Sequence, residues 1–221
     1  MSLDCTNSAK EDRLSPPAVT LLETARARLK RQAQYSRALS KGGARANALQ
    51  LWLNHANDCI AALARPEAFF VPVSAQQTPG GVRLADCVTL EGADLERDVA
   101  NGAQVTAYLL TLNYSQSQAF EWLDRDYGAH HVQTDLGSEV LFALGREAHR
   151  HLRTKTPTGR LQRVPVLASE QCGQRRVWSP ADVQALLTCF EGVNPGVRVT
   201  DIGCFSPLNS ILGLALNIPD R

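Results

Sequence analysis

Apolar residues recur at helical spacing over residues 18–39, where Leu21, Leu22, Ala25, Leu29 and Ala33 form a narrow stripe with Gln32 at its edge. Pro17 stands in the first turn, where a helix tolerates proline, and Lys41-Gly42-Gly43 ends the pattern. A second helix is predicted over 47–64, with Leu49, Trp52, Leu53, Ala56, Ile60 and Leu63 on its apolar face. Strands are predicted over 69–73 and 83–90, joined by a loop containing Gly80-Gly81, and a short helix over 94–100. Residues 105–112, VTAYLLTL, are the most continuously apolar strand candidate, which places them centrally in a sheet. A helix over 116–123 follows. The longest helical pattern covers 124–153, where Val132, Leu136, Val140, Leu144, Ala148 and Leu152 recur every four residues. Glu139 lies at the edge of that stripe, where a carboxylate either reaches out to solvent or holds a buried donor. A strand over 163–168 comes next. Ser179 as N-cap and Pro180 at the first helical position then open a helix running to about residue 190.

The chain closes on GVRVTDIGCFSPLNSILGLAL, residues 196–216. Val197, Val199 and Asp201 alternate with Arg198, Thr200 and Ile202, which reads as a strand. Gly203 and Pro207 interrupt it before a second apolar run, Ile211 to Leu216, so the two runs predict a hairpin that ends the domain. The elements give an α+β fold: a single domain with a mainly antiparallel twisted sheet flanked by helices, plus a helical N-terminal extension. The expected boundaries are a flexible lead-in at 1–16, the helical extension at 17–66 and the main domain at 67–221.

Composition narrows this reading. The chain has 221 residues, 44% apolar, with a net charge of +1, so no global charge argument for nucleic acid or a membrane surface follows. No run approaches the roughly 20 apolar residues that span a bilayer, and the polar N-terminus is not a secretory signal. Six scattered cysteines without a CxxC pair read as reduced thiols of a cytoplasmic protein. Charge is uneven: residues 1–45 carry nine basic and four acidic side chains, a local +5. Arg26, Arg28, Lys30, Arg31 and Arg37 occupy the polar face of the first helix, which is either a solvated face or a docking surface for an acidic protein partner. Tyr35 is the one aromatic residue there, which argues against nucleic acid.

Candidate chemistry is sparse. There is no Gly-rich phosphate loop, GxSxG, HExxH or DxDxDG sequence. His55 and Cys59 stand four apart on one helix face without a third ligand, and read as core residues. His130 and His131 are separated from His149 and His151 by about 27 Å of helix, too far to share an ion, and read as exposed helix histidines.

Thr200-Asp201, Cys204-Phe205-Ser206-Pro207, Ser210, Gly213 and Leu214 together resemble the end of the activation domain of cobalamin-dependent methionine synthase. Thr200, Pro207, Ser210 and Gly213 fall at similar spacings to that family's strand end, proline and Ser-Val-Ser-Gly segment. The order of elements upstream is also similar, so the resemblance covers roughly residues 84–216. It implies a domain that binds S-adenosylmethionine and docks on a corrinoid-binding protein or methyltransferase. It further implies support of reductive remethylation with electrons from a flavodoxin-like donor. The cobalamin would be carried by a partner, because no Asp-x-His-x-x-Gly motif is present. The family's Arg-x-x-x-Gly-Tyr-Pro-Ala-Cys-Pro motif falls near RLQRVPVLASEQC, where Arg163 and Cys172 echo the Arg and Cys and Gly-Tyr-Pro is absent. The resemblance assigns cofactor contacts to Glu139, with Glu147 as second choice, and to Arg163, Cys172, Thr200, Ser206, Pro207 and Ser210. The alternative is a non-catalytic protein-binding module on the same fold, docking through the basic helix 18–39.

Overall fold

The computed structural model describes residues 12–114, 127–165 and 179–220. Its elements in chain order are β1 (Asp12–Leu14), α1 (Ala18–Arg31), α2 (Ala33–Ser40), α3 (Gly43–Leu63), β2 (Glu67–Val73), β3 (Ala75–Thr78), β4 (Gly81–Leu84) and β5 (Val88–Leu90). There follow α4 (Ala93–Ala100), β6 (Gln104–Thr111), α5 (Tyr127–Lys155), β7 (Arg160–Pro165), α6 (Pro180–Leu187), β8 (Arg198–Val199), β9 (Phe205–Ser206) and β10 (Ser210–Ile218). Five strands form an antiparallel sheet in the order β1-β2-β6-β10-β7. The α+β expectation holds, and β6 is central as its apolar run requires.

Both faces of this sheet are buried, and the two-residue period of the strands divides the core. Phe70, Tyr108, Leu110 and Ala215 face α1, α3 and α5, whose Leu21, Leu29, Leu53, Ile60, Leu136 and Leu144 complete one cluster. Leu109, Leu212, Leu214 and Leu216 face the other way, onto α6 and the small β3-β4-β5 sheet. The helices of residues 18–63 therefore share a core with the main sheet. The predicted i+4 stripe of α5 is buried along its whole length.

Several local predictions change. Residues 12–14, read as part of a flexible lead-in, form an edge strand on β2, anchored where Asp12 meets His151 and Lys155. The helix predicted over 18–39 breaks at Gln32, which is extended (φ −62, ψ 138); its backbone N–H donates to Leu29 O and its carbonyl accepts from Ser36 N. The next helix begins at Gly43 rather than 47. The strand predicted over 83–90 is two strands, because Ala85 and Asp86 take left-handed φ values of 48 and 56 and turn the chain. The helix predicted over 116–123 and residues 166–168 of the predicted strand lie outside the described residues. The visible part of that strand, β7, starts three residues early at Arg160. Ser179 caps α6 as predicted, in a capping box with Asp182.

The closing hairpin is the main correction. The two apolar runs do not pair with each other. β8 pairs with β9 in a small ribbon, whereas β10 inserts between β6 and β7. An almost uninterrupted apolar run is stable only where both faces are covered, which a terminal hairpin does not provide and the sheet centre does. Among the described residues no helix is long and apolar enough to cross a membrane.

Candidate functional site

One helix and one edge strand build a positively charged cleft. Over its last three turns α5 presents Arg146, His149, Arg150 and Arg153, spaced three and four residues apart and so on neighbouring turns of the helix. β7 runs alongside as the sheet's edge strand. Its register sets Arg163 opposite Ala215 and Val164 opposite Leu214. Val164 joins the α6-side core, so Arg163 points to the α5 side. There its Nη1 donates to Gly145 O at 3.3 Å. At the other end Arg153 Nη1 donates to Gly159 O at 2.6 Å. Arg146, His149, Arg150, Arg153, Thr154 and Arg163 line an open cleft of about 420 Å³.

Charge in this cleft is poorly balanced. Arg150 pairs with Glu147. Arg146, Arg153 and Arg163 have no carboxylate partner among the described residues, whereas Arg13, Arg83 and Arg97 each do. Burial, then the Arg28 guanidinium, lower the Arg146 pKa; Glu139 and Glu147 oppose this and Arg163 adds to it. Burial, then Arg163 and Arg153, lower the His149 pKa below the ordinary imidazole value. Arg146 Nη2 and His149 Nδ1 are buried without a hydrogen-bond partner. An anion entering the cleft would balance the unpaired charge.

The residues assigned from sequence do not converge here. Only Arg163 lines the cleft. Glu139 sits 200° round α5 from Gly137, by the 100° step of an α-helix. A Cβ at Gly137 would lie 3.3 Å from Asn209 and the Tyr114 hydroxyl, so Glu139 is turned away from that contact. Its Oε1 accepts from Gln32 Nε2 at 3.0 Å, at the break between α1 and α2, and its Oε2 is buried without a partner. The carboxylate holds a donor, one of the two options its position allowed. Glu147 is engaged by Arg150. Ser210 is buried on the α6 side of the sheet and donates to Thr111 Oγ1 at 3.0 Å, on the face opposite Arg163. Thr200 Oγ1 both accepts from Cys204 N and donates to Cys204 O, closing the β8–β9 ribbon that also carries Ser206; the half-buried Pro207 follows through a cis peptide. Cys172 lies outside the described residues.

The histidines correct a second expectation. His151 is not an exposed helix residue: it hydrogen-bonds Asp12 and stacks on Phe70. His149 is half-buried in the cleft, and His55, read as a core residue, is exposed. Among the described residues no group of three or more His, Cys, Asp or Glu could hold a metal ion. The cleft residues Arg146, Arg150 and Arg153 went unnoticed in the sequence. Their signal was present as RxxxRxxR in the last turns of a helix whose other face was recognised as buried.

A second cavity of about 330 Å³ lies between α2, α3 and α5, with Tyr35, Trp52, His131 and Asp135 on its walls. Tyr35 donates to Asp135 Oδ2 at 2.7 Å; burial first, and then this carboxylate, hold its hydroxyl proton well above the usual phenol range. This neutral-to-charged hydrogen bond joins α2 to α5 at the cavity wall.

No family model matches the chain. No curated protein matches it in sequence. In three dimensions it is similar to the crystal structure of the MetH reactivation domain bound to AdoHcy, with a TM-score of 0.60 and 14% identity, over 96% of this chain and 79% of that one. At that identity the likeness is one of fold, and it agrees at the level of fold with the resemblance read from the closing stretch.

Proposed function

We propose that the chain is a stand-alone activation-type subunit that binds S-adenosylmethionine and supports reductive remethylation of a separate corrinoid-dependent methyltransferase in the cytoplasm. The observation that carries the reading is the fold likeness over nearly the whole chain to a domain solved with AdoHcy. Arg163 is the residue of this chain best placed to receive the ligand's carboxylate, as a planar fork on an edge strand beside a cavity. The cleft fits that end of the molecule. It does not fit the sulfonium, which carries the same sign of charge as Arg146, Arg153 and Arg163. S-adenosylmethionine would supply a transferable methyl group; the chain's contribution is to orient it and to present it to the partner's corrinoid, with electrons from a flavodoxin-like donor. Titration calorimetry with AdoHcy tests the reading: binding that weakens in R163Q supports it, and no heat at millimolar ligand sinks it.

A second reading is a protein-docking module working through the basic face of residues 18–39, on α1 and α2. Arg28, Arg31 and Arg37 are exposed and none pairs with a carboxylate among the described residues. Leu21, Leu22, Ala25 and Leu29 of the same helix are core, so truncation would unfold the protein. The test is charge reversal at Arg28, Arg31 and Arg37 together, in a pull-down of the corrinoid enzyme. Unchanged recovery would count against this surface.

A further inference from the structure

The cleft between α5 and β7 holds more positive charge than one carboxylate balances, and its charges come from two elements that the fold brings together. We infer that it is a binding site for a phosphoryl dianion of a small soluble molecule, held by Arg163 from β7 and by Arg146 and His149 from α5. Three observations carry this. First, Arg146, Arg153 and Arg163 line one cleft, and none of the three has a carboxylate partner among the described residues. Like charges gathered without counter-charge repel, and a bound dianion removes that repulsion. Second, Arg150 is bonded to Glu147, but Arg163 and Arg153 are bonded to backbone carbonyls, Gly145 O and Gly159 O, which fixes the side chains without neutralising them. Third, the side chains of Arg146 and His149 line the cleft, and each carries a buried nitrogen, Nη2 and Nδ1, without a hydrogen-bond partner. A phosphoryl group offers several acceptor oxygens and two negative charges, so it can take the Arg163 fork and the facing donors of α5 at once. The open cleft of about 420 Å³ has room for a small molecule.

Glu139 limits the charge from one side. It acts on Arg146, but its own Oε1 is taken by Gln32. Around His149 the facing charges are Arg163 from β7 and Arg146, Arg150 and Arg153 from its own helix, with Glu147 bound to Arg150 and Arg28 reaching Arg146 from α1. A dianion placed among them reverses the local field, so His149 titrates at higher pH when the site is filled.

The inference does not depend on S-adenosylmethionine binding, but a phosphoryl group would share Arg163 with the carboxylate proposed above. One experiment therefore reads both. The full chain is titrated with pyrophosphate, ADP and AdoHcy at fixed ionic strength, and the His149 imidazole is followed by NMR. R163Q and R146Q should each weaken pyrophosphate binding by about tenfold or more, as loss of a charged hydrogen bond does. R163K should fall between them and the parent chain, because it keeps charge and loses the fork. R83Q, whose arginine on β4 pairs with Asp86 in the turn that follows, should bind like the parent. E139Q should bind a few-fold more tightly. ADP bound through the same residues identifies an organic phosphate, and pyrophosphate alone a free one; both support the site. Equal loss in R83Q and R163Q, or an unmoved His149 titration in a chain saturated with pyrophosphate, would overturn it. Binding of an acidic polypeptide through these arginines while pyrophosphate does not bind would also overturn it. Pyrophosphate bound without AdoHcy sinks only the S-adenosylmethionine reading; AdoHcy bound without pyrophosphate sinks only this inference.

Discussion

Gly213 offers a stringent test of the sheet register on which the cleft depends. It faces Tyr108 across the β6–β10 pair. A Cβ built there would lie 2.3 Å from the Tyr108 hydroxyl oxygen, 2.4 Å from Cζ and 2.9 Å from Cε1. Tyr108 is only 6% exposed, so its ring has little room to withdraw. In Gly213→Ala, overpacking of this kind costs about 1–3 kcal/mol. Loss of glycine's freedom in the unfolded chain returns roughly 0.4–1 kcal/mol where the backbone is compatible with alanine, as it is at Gly213, whose φ is not in the left-handed range. The net destabilisation is therefore about 1–2 kcal/mol. For a domain of this size that lowers Tm by about 2–8 °C. Thermal unfolding by circular dichroism, supported by urea midpoints at unchanged slope, measures it. The same substitution in a Tyr108→Leu background should be neutral or stabilising, because the obstructing atoms are gone while the entropic gain remains. A Gly80→Ala control, with nothing within 4 Å of its Cβ, should shift Tm little. An unchanged Tm in Gly213→Ala, or the same loss with Leu at 108, would refute the pairing of Tyr108 with Gly213.

Other predictions follow from single contacts. Asp12 is partly buried, which alone would raise its pKa, but hydrogen bonds from Lys155 and His151 lower it below 3.8. Its contribution to stability is therefore complete above that unfolded value and is lost as pH falls through the lower folded one; Asp12→Asn should flatten the acid limb of the stability curve below about pH 4, and an unchanged limb would refute it. Ser179→Ala removes the α6 cap and should lower stability by about 1 kcal/mol in urea unfolding. Burial first, and then Cys87 at 3.7 Å, push the Cys189 thiol up to about 12, so iodoacetamide at pH 7.5 should modify exposed Cys204 well before Cys189, as read by peptide mass spectrometry. Burial pushes the Tyr114 hydroxyl up to about 12, and its phenolate absorbance should be missing from a titration to pH 11.

Long periodic signals were legible in the sequence. The i+4 stripe from Val132 to Leu152 and the apolar run at 105–112 each found the environment they predicted, because burial of a helix stripe or a two-sided strand leaves a composition that few alternatives match. Short-range features were less legible. Gln32 is a good helix former in a helical stripe, yet it is extended, and its side chain meets a carboxylate 107 residues away. Nothing near Gln32 in the chain encodes Glu139. The strand at 12–14 is likewise defined by Phe70, Phe69 and Ala68 of β2 rather than by its own three residues.

The candidate site shows why spacing along the chain could not locate it. Thr200, Ser206, Pro207 and Ser210 lie close together in sequence and resemble one family segment, but Ser210 enters β10 with its side chain on the α6 face. Arg163 pairs with Ala215 on the same strand pair and faces α5. Five residues along β10 and one step across reverse the face, since side chains alternate with period two. In a sheet with one wet face, polarity would have announced that alternation. Here both faces are apolar, so Leu214 and Ala215 look equally like core and the sequence does not say which of Arg163 and Val164 turns toward the helix. Only the pairing of β7 with β10, and the packing of α5 over one face, decide it. Once decided, Arg163 has a single set of neighbours, and those neighbours are Arg146, His149 and Arg153 rather than the Ser210 turn. Arg163 and Ser210 lie on opposite faces of the sheet, so a substitution at Ser210 is expected to reach Arg163 through β10 itself. Ser210→Ala should therefore leave pyrophosphate and AdoHcy affinity within about twofold while lowering stability by about 1 kcal/mol through the lost Thr111 hydrogen bond. A large affinity loss without a stability loss would show that Ser210 contacts the ligand and that the faces have been assigned wrongly.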